Sequence, residues 1–177
     1  MIEALISSRT RINLLLKFFL NPENTSYLRE LSEEFNESTN GIRVELNRFE
    51  QAGMLTTHSE GNRKLFKANP LHPFYNEIRS IILKHTGITQ IIDHLVSKIG
   101  KLEKVYLAGD FAQGKHSEVI DVILIGEING AFLAELIGKA QIKLGKKISY
   151  LVYSGSEFEM DKYRTNGLLL LYDGGKR

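Results

Sequence analysis

Apolar residues change their spacing part-way along this chain, and that change constrains the fold more than any other feature. Between Arg9 and Phe49 they recur three and four residues apart. From Lys104 onward they come in short unbroken runs, such as Val119 to Ile125, punctuated by glycines. The first spacing follows the turn of an α-helix, and the second suits strands buried in a sheet. One part of the chain therefore reads as packed helices and the other as a mixed α/β layer. The expected class is α+β, and 177 residues allow one medium domain or two small ones.

In the first half, Ile12, Leu15, Leu16 and Phe19 line one side of a helix from Arg9 to Leu20. Asn21-Pro22 ends it, because proline cannot continue the hydrogen-bond ladder. Thr25 is placed to cap a second helix, Ser26 to Phe35, whose apolar positions are Tyr27, Leu28, Leu31 and Phe35. Glu30, Glu33, Glu34 and Glu37 are expected on its outward face. Ser38 is the expected N-cap of a third helix. That helix buries Ile42, Leu46 and Phe49 and stops at Ala52-Gly53, a glycine suited to a left-handed cap. MLTTH, the turn SEGN and RKLFKANP then read as a β-hairpin closed by Pro70.

Burying that stripe leaves Thr39, Asn40, Arg43 and Asn47 on the exposed side of the third helix, where Arg and Asn can pair with base edges. Thr25, Ser38 and Thr39 sit at expected helix N-termini, which can bind phosphate oxygens. Arg63, Lys64 and Lys67 make the hairpin basic. This order, over roughly residues 8–70, resembles a winged helix-turn-helix. STNGIRVELNRFEQAGML followed by TTHSEGNRKLFKANP looks like the recognition helix and wing of ArsR-like bacterial transcriptional regulators. The resemblance implies that the third helix enters the major groove of double-stranded DNA and the wing touches its backbone. One such helix buries little surface, so a homodimer reading a palindrome is expected. The net charge of +2 lends no support by itself, so the reading rests on where the charges sit.

Residues 71–104 read as a helical connector. Phe74, Ile78, Ile81 and Ile82 line its first helix, up to a break near Gly87; Ile91, Ile92, Leu95 and Ile99 line its second. These stripes suit a spacer, a dimer seam or part of either core. Beyond them come a strand at 105–108, a strand at 119–125, a helix from about Ala131 to Leu144 and a strand from Lys147 to Val152. Ser156 is placed to cap a short helix reaching Tyr163, and Leu168 to Tyr172 fits a strand or a last helical turn alike. Tyr150, Tyr153, Tyr163 and Tyr172 read as core or rim aromatics.

The stretch LAGDFAQGKHSEVIDVILIG, from Leu107 to Gly126, is strand, glycine-rich loop and strand. It resembles the small bacterial nucleotidyltransferases, over roughly residues 90–175, with Gly109, Ala112, Gly114 and Asp121 at matching positions. The resemblance implies a loop that cradles nucleotide phosphates and two carboxylates, two residues apart on one strand face, that grip Mg²⁺. Here Ile123 stands where the second carboxylate belongs, and Asp110 replaces a serine. Gln113 replaces an arginine, Ile120 replaces the serine before the first Asp, and a third carboxylate position falls near Ser149. A lone carboxylate holds a hydrated ion poorly, and Asp110 opposes an anionic ligand. The expectation is a vestigial nucleotide site of Gly109, Asp110, Gly114 and Asp121, without catalysis, metal or cofactor. Its remaining role would be assembly, or sensing a nucleotide-like effector through Lys115 and His116.

The expected plan is thus a DNA-binding unit at 1–70, a connector at 71–104 and a degenerate nucleotidyltransferase-like α/β domain at 105–177. The corresponding function is a DNA-binding transcriptional regulator with an inactive second domain. The competing readings are a Mg²⁺-dependent nucleotidyltransferase with a helical targeting module, and a protein-interaction adaptor. Zero cysteines exclude disulfides and thiolate metal sites and suit a cytoplasmic protein. MIEALISSRTR lacks the pattern of a secretory leader, and no apolar run is long enough to span a bilayer. His58, His72, His85, His94 and His116 show no metal-ligand spacing, and there is neither a P-loop nor a Ser-His-Asp motif.

Overall fold

The computed structural model describes residues 2–115, 117–163 and 167–175, except the side chains of Glu3, His94, Leu95, Ser97 and Lys98. The chain divides into two compact units, Met1–His85 and Thr86–Arg177.

In the first unit, helix α1 (Arg9–Leu15) is capped by Ser8, whose hydroxyl accepts the Arg11 amide proton, and continues as a wider turn through Leu16–Leu20. Strand β1 (Thr25–Tyr27) leads into α2 (Leu28–Phe35), which ends at Asn36 in the left-handed conformation, φ 52°. Helix α3 (Thr39–Gln51) follows, with Ser38 accepting from the Gly41 amide at 3.2 Å, the cap the sequence implied. The hairpin is β2 (Leu55–Glu60) and β3 (Arg63–Ala68), and α4 (Tyr75–His85) completes the unit. The three strands form one antiparallel sheet in the order β1-β3-β2. Leu14, Phe18, Phe19, Leu31, Ile42 and Leu46 form the buried centre. Phe19, Leu31, Ile42 and Leu46 belong to the stripes read from the sequence, whereas Leu14 and Phe18 are buried beyond the expected stripe and Leu16, expected inside, is only half-buried. Removal of this apolar surface from water drives the packing.

Two expectations are corrected here. Thr25 does not cap a helix. It begins β1, opposite Lys67, because the backbone of Thr25–Tyr27 finds its hydrogen-bond partners in β3. The acidic side of α2 is also only in part a solvated face: Glu33 is exposed, but Glu30, Glu34 and Glu37 are engaged. Glu34 receives the Lys17 ammonium at 2.6 Å, and Lys17 is only 4% exposed, so its charge requires a carboxylate at that spot. Glu30 accepts from the Ser26 hydroxyl, and Glu37 from Thr10.

The second unit opens with α5 (Ile88–Lys98) and β4 (Gly100–Ala108). A single helical turn, α6 (Gly109–Ala112), precedes β5 (Val119–Ile128). Next come α7 (Gly130–Leu144), β6 (Lys147–Tyr153), a 3-10 turn at Met160–Tyr163 and β7 (Leu168–Asp173). The sheet order is β6-β5-β4-β7; β5 and β6 are parallel across the α7 connection, and the other pairs are antiparallel. Leu168 onward is therefore a strand, a choice made by pairing with β4. Ser156 caps no α-helix: Ser154 instead gives its hydroxyl and amide protons to Glu157. Side chains alternate across β5. Ile120, Val122 and Leu124 lie on one face, while Asp121, Ile123 and Ile125 lie on the other. On the latter face Tyr106, Ala108, Ile123 and Ile125 pack beneath Tyr153, Phe158, Tyr163 and Leu168.

Candidate functional site

At the end of β4 the chain must turn sharply into α6, and Gly109 does so at φ 66°, a region that L side chains resist. Its lack of a side chain matters twice. A Cβ placed there would stand 2.9 Å from Oδ2 of Asp121, so the glycine also makes room for that carboxylate. Asp121 itself is half-buried, between Ala108 of β4 and Ser149 of β6 in the sheet register.

The carboxylate opens into a cavity of about 370 Å³. Asp110, Gln113, Asp121 and Ser149 form its polar side, and Ile123, Leu151 and Tyr163 an apolar wall. Asp110 is exposed, and the Lys115 ammonium lies 3.7 Å from it, offsetting part of its negative charge. The structure thus brings Gly109, Asp110 and Asp121 to one cavity, with Lys115 beside it. Gly114 (φ 68°) shapes the turn rather than lining the site, and His116 lies outside the described residues. Sequence reasoning places Ser149 beside Asp121 but misses Leu151 and Tyr163, which only the folded chain brings near.

Among the described residues no group of three or more His, Cys, Asp or Glu could hold a metal ion. Two carboxylates nevertheless line this cavity, and the space that a Cβ on Gly109 would fill is kept clear beside one of them. Such a donor set fits Mg²⁺, which keeps several waters and takes one or two carboxylates together with substrate phosphates. It does not fit a closed protein-built cage.

The first unit carries a separate groove of about 690 Å³ between α3 and the hairpin. Thr39, Arg43, Asn47, Arg63 and Lys64, residues singled out in the sequence as DNA contacts, are among those that line it, together with Arg29, Tyr27 and Asn62, which were not singled out. The Arg63 guanidinium lies 4.7 Å from the centre of the Tyr27 ring, a cation–π contact that orients it. Thr25 and Lys67 lie outside the groove's lining on β1 and β3, and Asn40 is exposed on α3. Ser38 spends its hydroxyl on the helix cap. Two of the hairpin cations are not free charges. Lys64 is held by Glu50 at 2.6 Å, which keeps the Glu50 carboxyl below its ordinary range, and Lys67 is held by Glu23 at 2.8 Å.

No family model matches the chain. A Methanocaldococcus jannaschii protein provisionally named a protein adenylyltransferase is 29% identical over 75 residues, 41% of this chain and 75% of that protein. A solved structure described as a mutant of the toxin–antitoxin MntA–HpeT superposes with a TM-score of 0.39 at 20% identity, covering 49% of this chain and 72% of that one. The relationship to a named adenylyltransferase supports a nucleotidyltransferase-like domain in this chain and corrects two expectations. The reading as a transcriptional regulator gives way to a nucleotidyltransferase reading, and the expected loss of enzymatic activity loses its footing, because the relative is named as an enzyme. No helix among the described residues is long and apolar enough to cross a membrane.

Proposed function

We propose that this chain is a Mg²⁺-dependent nucleotidyltransferase that moves an adenylyl group from ATP to a hydroxyl on a protein acceptor. The observation that carries this reading is the Asp121 carboxylate, held on an inner strand and given room by Gly109 at the mouth of the cavity. The name of the archaeal relative supports the choice of an adenylyl group and a protein acceptor. Mg²⁺, when bound, would neutralise phosphate charge and make the α-phosphorus a better electrophile. Asp121 is the residue that would hold it, with Asp110 in the same cavity and Lys115 reducing the repulsion between that carboxylate and an incoming phosphate. The acceptor oxygen forms a bond to the α-phosphorus as the bond to the bridging oxygen breaks. Pyrophosphate leaves, and the acceptor proton passes to solvent.

The first unit serves in this proposal as the targeting module. Its element order, α1, β1, α2 and α3 followed by the β2–β3 hairpin, supports the winged-helix reading. Arg29, Arg43 and Arg63 converge on one groove with Asn47 and Thr39, an arrangement suited to a polyanion, and double-stranded DNA is the proposed partner. Incubation of the purified chain with Mg²⁺ and α-labelled ATP tests the catalytic half. Transfer of label to protein, together with release of pyrophosphate, is expected in the parent and absent in Asp121→Ala. Turnover that persists in that variant would remove Asp121 from the chemistry.

A further inference from the structure

Three aromatic rings stack in series behind the cavity's apolar wall. Tyr106 lies 5.4 Å from Phe158 with ring planes 21° apart, and Phe158 lies 5.8 Å from Tyr163 at 17°. The series begins at buried Tyr106, on β4, and ends at Tyr163, which borders the cavity. We propose that Tyr163 is the platform on which the nucleobase of the bound nucleotide stacks, continuing the series by one layer. This inference rests on the nucleotidyltransferase reading and adds to it the residue that recognises the base.

Three further observations support it. The Tyr163 hydroxyl is hydrogen-bonded to that of Tyr153 at 2.6 Å, so the ring is fixed both by stacking and by its polar end before any ligand arrives. Along the paired strands the lining changes from polar, at Asp121 and Ser149, to apolar, at Ile123 and Leu151, with Tyr163 also in the lining, which matches a molecule with a charged phosphate end and a flat apolar end. Ile123, standing where a second carboxylate was expected, is buried in the core against which Tyr163 packs, so the ring is backed by apolar side chains and not by a charge.

The test compares MgATP with Mg²⁺-tripolyphosphate, which keeps the phosphates and lacks the base. Tyr163→Ala and Tyr163→Leu are expected to bind ATP about tenfold more weakly than the parent, with tripolyphosphate affinity unchanged; Tyr163→Leu keeps apolar bulk should the alanine variant fail to fold. Tyr163→Phe is expected to rescue the preference for ATP. The chain contains no tryptophan, so Tyr163→Trp introduces a sole indole. Its fluorescence should be quenched by ATP and not by tripolyphosphate. If the parent binds and transfers from ATP while Tyr163→Leu binds ATP as tightly, the platform alone is refuted. If the parent binds no nucleotide, the nucleotidyltransferase reading falls and the platform with it.

Discussion

Replacing Gly109 by alanine separates the two tasks assigned to that residue. The first cost is conformational: a φ of 66° is left-handed, and an L residue there costs about 1–2 kcal/mol. The second is steric, because the new Cβ would meet Oδ2 of Asp121 at 2.9 Å, inside ordinary van der Waals contact, and the carboxylate must give way. Taking the steric part as about 0.5–1 kcal/mol, within the usual range for coupled neighbours, the total is about 2 kcal/mol. In a domain of this size that lowers the melting transition by roughly 10 °C. Calorimetry on Gly109→Ala, Asp121→Ala and the double variant completes a cycle. In the Asp121→Ala background the glycine substitution should lose its steric part, leaving a coupling of about 0.5–1 kcal/mol. Adenylyl transfer by Gly109→Ala should fall by about a hundredfold, because a small misplacement of a catalytic group is costly. An identical cost in both backgrounds, with transfer unimpaired, would refute the claim that Gly109 positions the carboxylate.

Two further outcomes are expected in the first unit. Glu34→Ala strands the buried Lys17 charge and should destabilise that unit by about 3 kcal/mol or more in denaturant titrations, whereas Lys17→Met combined with Glu34→Leu should come close to the parent. On duplex DNA, Arg43→Ala should weaken binding, while Glu50→Gln, which releases Lys64 from its ion pair, should strengthen it and steepen the salt dependence measured by fluorescence anisotropy.

The helices are legible because their signal is local. Ile42, Leu46 and Phe49 share a face by spacing alone, and Ser38 needs only the Gly41 amide three residues on. What escapes depends on partners far along the chain. Three residues, TSY, carry too little pattern to announce a strand, and their pairing with β3 spans about forty positions. The acidic side of α2 reads as solvated until α1 places Lys17 against it. In the second unit β4, β5, α7 and β6 follow from apolar runs and glycines, whereas Leu168–Tyr172 can be assigned only by its neighbour. At the site, Asp121 stands out by its position in a motif. Tyr163 reads as an ordinary core or rim aromatic, since its relation to the cavity is created by the path of the chain after β6.

The sheet order β6-β5-β4-β7 puts Asp121 on an interior strand, laced to neighbours on both sides. Amide protons around it should exchange with deuterium only when the whole unit opens, whereas those of the brief turn carrying Tyr163 can exchange through small local excursions. Under the proposed function, warming would then erode discrimination among nucleotides before it dismantled the surroundings of Asp121.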